Sequence, residues 1–198
     1  MIKFHSSQTV KQLFYANIIV FVVGYILQVI GFPFMETFAL FPKEGFMPWQ
    51  LITHQFLHGG IFHLLFNMLA LISFGGYVED FIGRTKFIIS YFLCGLSAAF
   101  LHMFMVDSSI PMVGASGAIY GILMMFTFIH PNEKLYLFGL IGAKAKYLMG
   151  TMFGVEILLG FFLPGDGIGH FAHVGGGLMG IMLFFINKHL PQKKKRWS

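Results

Sequence analysis

The sequence of residues 114–130 is GASGAIYGILMMFTFIH, an apolar run with one serine, Ser116, near its start. A helix needs about 20 mostly apolar residues to cross the hydrocarbon core of a membrane, and this run approaches that length. A second apolar run, residues 169–187, carries His173 close to its start. Because polar side chains are costly inside a membrane, Ser116 and His173 are candidate functional residues.

The composition of the whole chain indicates a membrane protein. Of its 198 residues 57% are hydrophobic and 11% are charged, whereas soluble domains contain about 25% charged residues. Six segments have the apolar character of membrane-spanning helices. They are residues 12–32, 54–78, 86–106, 114–130, 146–163 and 169–187. The sequence therefore predicts one all-α domain over residues 1–198, a polytopic bundle of six transmembrane helices.

The basic residues predict how these helices are oriented. An even number of spans puts both termini on one side, and 12 of the 13 lysines and arginines then lie on that side. The 12 are Lys3, Lys11, Arg84, Lys86, Lys134, Lys144, Lys146, Lys188, Lys193, Lys194, Lys195 and Arg196. Only Lys43 lies on the other side. Because basic residues concentrate in cytoplasmic loops, both termini are predicted to be cytoplasmic.

The charge and the single cysteine exclude other classes of protein. The net charge of +5 comes from cytoplasmic loops and a tail, so it predicts no nucleic-acid partner. The run Lys193–Arg196 is instead suited to contact with anionic lipid of the bilayer. Cys94 lies alone within an apolar segment, which excludes a disulfide framework and a cysteine-type metal site.

The predicted orientation places four polar residues at a similar depth. The second, fourth and sixth segments all run from the outer to the inner face. Ser116 and His173 lie near the outer ends of their segments, while His63 and Asn67 lie somewhat deeper in residues 54–78. His63 and Asn67 are four residues apart and therefore share a helix face. All four are predicted in the outer half of the membrane.

These residue types suit nucleophilic catalysis. Serine attacks only after a base removes its proton, and histidine is the usual base. His173 would take that proton from Ser116 and return it to the leaving amine. The backbone N–H groups of Ala115 and Ser116, with Asn67 and His63, would bind the developing oxyanion. The aspartates lie outside the apolar segments, so the sequence predicts a dyad without an acidic third member.

Each feature also has a purely structural explanation. Glycine and serine are common where membrane helices pack, and Gly176 and Gly180 form such a small-residue pair. A buried histidine or Asn67 can simply bond a neighbouring helix. The agreement in depth favours the catalytic explanation, because helix packing alone does not require it.

Over residues 48–185 the chain resembles the rhomboid family of intramembrane serine proteases. The resemblance rests on a Gly-x-Ser-Gly motif, a tyrosine after it, an Ala-His-x-x-Gly motif with a following glycine, a His-x-x-x-Asn motif, an upstream histidine and a Gly-x-x-x-Glu motif. The matching residues are Gly114, Ser116, Gly117, Tyr120, His173, Gly176, Gly180, His63, Asn67, His58, Gly75 and Glu79.

The resemblance implies roles for several of these residues. Ser116 is implied to be the nucleophile and His173 the general base and acid. His63 and Asn67 are implied to help hold the oxyanion, and Tyr120 to pack on His173. The implied activity is cleavage of transmembrane segments of other membrane proteins by a Ser-His dyad, without metal or cofactor. The implied location is the cell inner membrane, with the site opening to the extracytoplasmic side.

One position departs from the family pattern. The first external loop usually carries Trp-Arg, whereas this chain has Trp49-Gln50. The ionic contacts of an arginine are therefore lost, and the resemblance does not predict how the 33–53 loop is held. The many aromatic residues of that loop predict that it lies in the membrane interface.

Other interpretations remain open from the sequence. A catalytically silent relative that binds membrane clients is one alternative, although such proteins generally lack the serine or the histidine. A transporter would show an internal repeat of hydropathy, which is not evident. His54 and His58, four residues apart, leave a metal site as an alternative to bonds with loop backbone. His170 has no assigned role, and the partner of Glu156, inside the fifth segment, is not identified.

The predicted orientation can be tested in intact cells. A cysteine added after Ser198 should resist an impermeant thiol reagent, because the C terminus is predicted to be cytoplasmic. A cysteine in place of Lys43 should react, since that loop is predicted to be external. Reaction of the C-terminal cysteine in unbroken cells would contradict the orientation.

Overall fold

A computed structural model describes residues 7–42, 45–106, 111–137, 141–163 and 166–189. In chain order its elements are α1 (Gln8–Val29), α2 (Phe34–Phe38), α3 (Gln50–Thr53), a 3-10 helix (His54–Phe56), α4 (Ile61–Ile82), α5 (Arg84–Met105), α6 (Ser116–Ile129), β1 (Lys134–Leu137), β2 (Ile141–Lys144), α7 (Ala145–Phe162) and α8 (His170–Asn187). Among the described residues, five helices are long and apolar enough to cross a membrane, namely α1, α4, α5, α7 and α8. The prediction of a helical, polytopic membrane protein is thereby confirmed.

Helix α6 differs from the other five long helices in length and in burial. It has 14 residues, and ten of them are buried, so it lies at the centre of the bundle with apolar side chains on every face. At about 1.5 Å per residue it is about 21 Å long, shorter than the hydrocarbon core of about 30 Å. The sixth span therefore remains a prediction, because length alone does not qualify α6.

Helices α1 and α7 lie at the periphery. In the most apolar window of each, only 17% of the residues are buried inside the protein. Large apolar side chains such as Tyr25 and Phe162 are 67% and 77% exposed. In a membrane protein such faces meet lipid, since lipid tails are as apolar as the side chains themselves.

Glycines allow α8 to approach α6 at backbone distance. A Cβ atom added at Gly176 would lie 1.8 Å from the carbonyl oxygen of Gly117, and one added at Gly180 would lie 2.2 Å from that of Gly121. Helix α5 approaches α8 in a similar way, because Ser97 Oγ donates a hydrogen bond of 2.9 Å to the Gly175 carbonyl. The small residues of the Gly176–Gly180 pair therefore pack against the helix that begins with Ser116.

Helix α4 begins later than the sequence predicts. Residues 54–60, which were expected inside the second span, form the 3-10 helix and an extended turn before Ile61. Gly59 and Gly60 explain the difference, since paired glycines disfavour a helix. The far end of α4 extends to Ile82 and stops at Gly83, whose positive φ of 85° is a conformation that favours glycine.

Glu79 links α4 to the start of α1. Its carboxylate accepts hydrogen bonds from the hydroxyls of Ser7 and Thr9, and Ser7 also caps α1 by accepting from the Val10 N–H. An added Cβ at Gly75 would lie 2.8 Å from Val10, so the two helices are close along this edge. The Gly-x-x-x-Glu motif thus has a structural role in joining two helices.

Gln50 holds the loop between α1 and α4. Its buried side chain accepts hydrogen bonds from the N–H groups of Phe41 and Met47 at 3.4 and 3.1 Å. It donates to the carbonyls of Thr37 and Gly45, both at 3.4 Å. A neutral amide can serve donors and acceptors at once, so the Gln50 side chain holds the loop through its backbone, at the position where the resemblance implies an arginine.

A two-stranded hairpin between α6 and α7 was not predicted. Strands β1 and β2 are antiparallel, with Lys134 opposite Lys144 and Leu135 opposite Ala143. Alternation of polar and apolar residues over only four positions is too short a pattern to separate a strand from a loop.

The α6–α8 contact predicts the effect of adding one methyl group. Gly176→Ala should lower the free energy of unfolding by about 1–3 kcal/mol, because the new Cβ must push the two backbones apart. Gly154→Ala in α7 is the matched control, since an added Cβ there meets nothing within 4 Å. Thermal unfolding in detergent should show a lower Tm for Gly176→Ala than for Gly154→Ala. Equal Tm values would contradict the packing argument.

Candidate active site

Ser116 and His173 come into contact although they are 57 positions apart. Ser116 is the first residue of α6, and His173 lies in the first turn of α8. The Nε2 atom of His173 is 2.9 Å from the Oγ atom of Ser116, a hydrogen-bonding distance for a nucleophile and its base. The close backbone contact of α6 and α8 brings the two helix starts together.

Tyr120 fixes the plane of the imidazole. It lies one helical turn after Ser116, on the same face of α6. Its ring stacks on the His173 ring with centroids 4.3 Å apart and an angle of 10° between the planes. The contact limits rotation of His173 about its side-chain bonds.

A cavity of about 520 Å³ opens beside this pair, and its lining includes Ser116, His173, Tyr120, His63 and Asn67. Asn67 is buried, and its Nδ2 atom donates to no group among the described residues. Since an unsatisfied buried donor is costly, Asn67 is available to bind an acceptor that enters the cavity.

The backbone before Ser116 requires glycine at position 114. Gly114 has a φ of +123°, and an added Cβ would lie 2.7 Å from Nε2 of His63. His63 therefore lies against the turn that leads into α6. The N-cap residue Ala115 provides no side-chain cap, so the first N–H groups of α6 keep their capacity to bind an anion.

His58 supports His63 from the turn before α4. The two rings make an edge contact with centroids 5.0 Å apart. Burial lowers the pKa of His58 to about 4, and that of His54 likewise, so both are neutral near pH 7. His54 Nδ1 bonds the Gln50 carbonyl at 2.6 Å, which agrees with the interpretation of His54 as a residue that bonds loop backbone.

A carboxylate lies on the other side of the His173 ring. This contact was not predicted from the sequence. The Oε1 atom of Glu156 in α7 is 3.0 Å from Nδ1 of His173. The two atoms are at ion-pair distance, although Nδ1 makes no aligned hydrogen bond. The dyad was predicted because the aspartates lie outside the apolar segments, and this contact adds a carboxylate from another residue type. Glu156 is the single carboxylate inside the six predicted spans.

Glu156 is itself held by two further groups. Tyr120 donates its hydroxyl to Oε1 at 2.6 Å, and Nδ1 of His170 lies 2.6 Å from Oε2. The other ring nitrogen of His170 lies 3.0 Å from Asp166 Oδ2, and this hydrogen bond lowers the pKa of Asp166. His170 and Glu156, both unassigned from the sequence, are thus partners.

Glu156, His170 and His173 form the one cluster with metal-ligand spacing in the part of the chain that the structure describes. Ligand atoms of Glu156, His170 and His173 lie within 4.8 Å of one another. The pair His54 and His58 is not part of this cluster. Within this cluster Glu156 is hydrogen-bonded to His170, and it also accepts a hydrogen bond from Tyr120.

Comparison with known proteins identifies the fold family. The family model described as Rhomboid domain matches residues 45–189. The chain is 34% identical over 151 residues to "RHOMBOID-like protein 6, mitochondrial" of Arabidopsis thaliana, covering 75% of this chain and 47% of that protein. It is 27% identical over 175 residues to "Rhomboid protease GlpG" of Haemophilus influenzae, covering 85% of this chain and 87% of that protein.

A third relative carries a different description. The chain is 33% identical over 129 residues to "Inactive RHOMBOID-like protein 8" of Arabidopsis thaliana, covering 65% of this chain and 35% of that protein. The chain spans less than half the length of these two Arabidopsis relatives. Similarity therefore identifies the family but does not show whether this chain is active. Activity has to be inferred from the residues of the site.

Proposed function

The chain belongs to the rhomboid family, and we propose that it is an intramembrane serine endopeptidase that cleaves transmembrane segments of other membrane proteins. The observation that carries the proposal is the 2.9 Å contact between His173 Nε2 and Ser116 Oγ. This pair borders a cavity among apolar helices, so the peptide that reaches it comes from a membrane environment.

Two side chains perform the proton transfers of the proposed reaction. His173 Nε2 takes the hydroxyl proton while Ser116 Oγ attacks the carbonyl carbon of the scissile bond. His173 then gives this proton to the leaving amine, and the C–N bond breaks to leave an acyl-enzyme. Water attacks the acyl group with His173 again as base, which frees Ser116 and the new carboxyl terminus.

Several donors would stabilise the oxyanion of each tetrahedral intermediate. Asn67 Nδ2 has no other partner among the described residues, and the first N–H groups of α6 follow the uncapped Ala115. His63 lies against Gly114, next to the same helix start. Donors held in place before charge develops are the main source of stabilisation in such sites.

We also propose that the protein lies in the cell inner membrane with the predicted topology. It then has six spans, and both termini are in the cytoplasm. The starts of α6 and α8 would then face the outer side. Support comes from basic residues at the end of the bundle away from these helix starts. There Arg84 donates to Gln12 at 3.0 Å, and the hairpin pairs Lys134 with Lys144. Basic residues of this kind favour the cytoplasmic face.

The nucleophile can be tested with a fluorophosphonate probe on the detergent-solubilised protein. Labelling should be lost in Ser116→Ala and in His173→Ala, because the first removes the reacting oxygen and the second removes its base. Ser73→Ala in α4 is a matched control and should be labelled like the unmodified protein. Labelling that persists in Ser116→Ala would refute the assignment. A properly folded unmodified protein that takes no label would favour the silent, client-binding alternative.

The oxyanion role of Asn67 can be tested with a single-span model substrate. Asn67→Ala should lower kcat by about 10- to 1000-fold, with a smaller effect on KM, because the donor acts mainly when charge develops. Asn187→Ala is the matched control, since Asn187 bonds the Leu183 carbonyl near the far end of α8. Unchanged turnover in Asn67→Ala would count against the role.

A further inference from the structure

We propose that Glu156 is a positioning residue for the same reaction, so that the site works as a Ser116–His173–Glu156 triad. The proposal rests on the proposed protease function and adds to it a carboxylate that the dyad lacks. In this arrangement Glu156 orients the imidazole of His173 and stabilises the positive charge that the ring acquires when it takes the serine proton.

The two nitrogens of His173 face the two partners that this role requires. Nε2 lies 2.9 Å from Ser116 Oγ, and Nδ1 lies 3.0 Å from Glu156 Oε1. For Nε2 to accept the serine proton, Nδ1 has to carry the ring hydrogen, and a carboxylate beside Nδ1 favours that tautomer. Nδ1 and Oε1 are at ion-pair distance although their hydrogen bond is not well aligned, and the hydrogen bonds of a catalytic base often align only as the reaction begins.

The carboxylate is held in place, because each of its oxygens has a partner other than His173. Oε1 accepts from Tyr120 Oη at 2.6 Å, and Oε2 is 2.6 Å from His170 Nδ1. Tyr120 also stacks on the His173 ring. Tyr120 therefore contacts both His173 and Glu156 and fixes their relative positions, as a catalytic site requires.

The charges in the cluster place negative charge beside His173. Both ring nitrogens of His170 face carboxylates, at 2.6 Å from Glu156 and 3.0 Å from Asp166. A histidine that donates from both nitrogens carries a positive charge. Two carboxylates and one imidazolium leave one net negative charge, and Glu156 places it next to His173.

Two further titratable groups near His173 do not supply such a charge. His63 from α4 and His102 from α5 are near enough to interact electrostatically with it, and both are neutral or positive. Among the described residues, the Glu156 carboxylate of α7 is the one that contacts His173 and can offset positive charge on it.

A purely structural role is the competing explanation, because Glu156 also joins the peripheral helix α7 to α6 and α8. Such a role would affect folding and substrate binding, whereas a positioning role affects kcat. Turnover of a single-span substrate and thermal unfolding, measured on the same full-length variants, separate the two.

Glu156→Gln keeps the shape of the side chain and removes its charge. We expect kcat to fall by about 10- to 10,000-fold, with KM within about threefold and with the Tm of the unmodified protein nearly retained. Glu156→Asp should recover part of the lost kcat, because it restores the negative charge. Glu36→Gln is the matched control on an exposed carboxylate of α2, and its kcat should equal that of the unmodified protein.

Unchanged kcat in a folded Glu156→Gln protein would overturn the triad while leaving the protease proposal intact. Absence of turnover in the unmodified protein, together with absence of Ser116 labelling, would overturn both. Should Glu156→Gln fail to fold, Tyr120→Phe decides, since it keeps the stacked ring and removes only the hydroxyl that donates to Glu156. That variant should lose about 3- to 30-fold in kcat, and an unchanged kcat would overturn the proposal.

Discussion

The backbone contact between α6 and α8 is the constraint on which the rest of the site depends. Gly117 and Gly176 meet without side chains between them, and the same holds one turn later at Gly121 and Gly180. Lipid provides no hydrophobic force that would press two helices together, so close van der Waals packing has to provide the attraction. The same packing sets the position of Ser116 relative to His173, so the stability of the bundle and the geometry of this pair depend on one set of residues.

Hydropathy and charge were sufficient to predict the helical membrane fold, and they also predicted a common depth for Ser116 and His173. They could not predict rotation about each helix axis, because an apolar segment in lipid lacks the polar face that identifies orientation in a soluble helix. The family resemblance supplied the pairing that periodicity could not. The delayed start of α4 and the short hairpin were missed because both are local features, set by two glycines and by four-residue strands.

Glu156 shows how a polar residue in a membrane segment can be interpreted. A carboxylate there requires partners, and the fold supplies Tyr120, His170 and the ring of His173. Sequence spacing could not identify them, since they come from different helices whose rotation was unknown. The signal was nevertheless present, because no other carboxylate lies inside the predicted spans. A single acidic residue in an apolar segment should therefore be considered as a possible contact of each candidate histidine.

The shortness of α6 has a consequence for the substrate. His130 and a polar stretch with Lys134 follow Ile129 at once, so on the proposed topology the helix ends at the inner boundary of the membrane. A helix of about 21 Å in a core of about 30 Å then leaves Ser116 about 9 Å below the outer boundary. That depth corresponds to about six residues of a helical client, or about three when the chain is extended. If the chain is the protease proposed here, the length of α6 would set how far inside the client the cut falls.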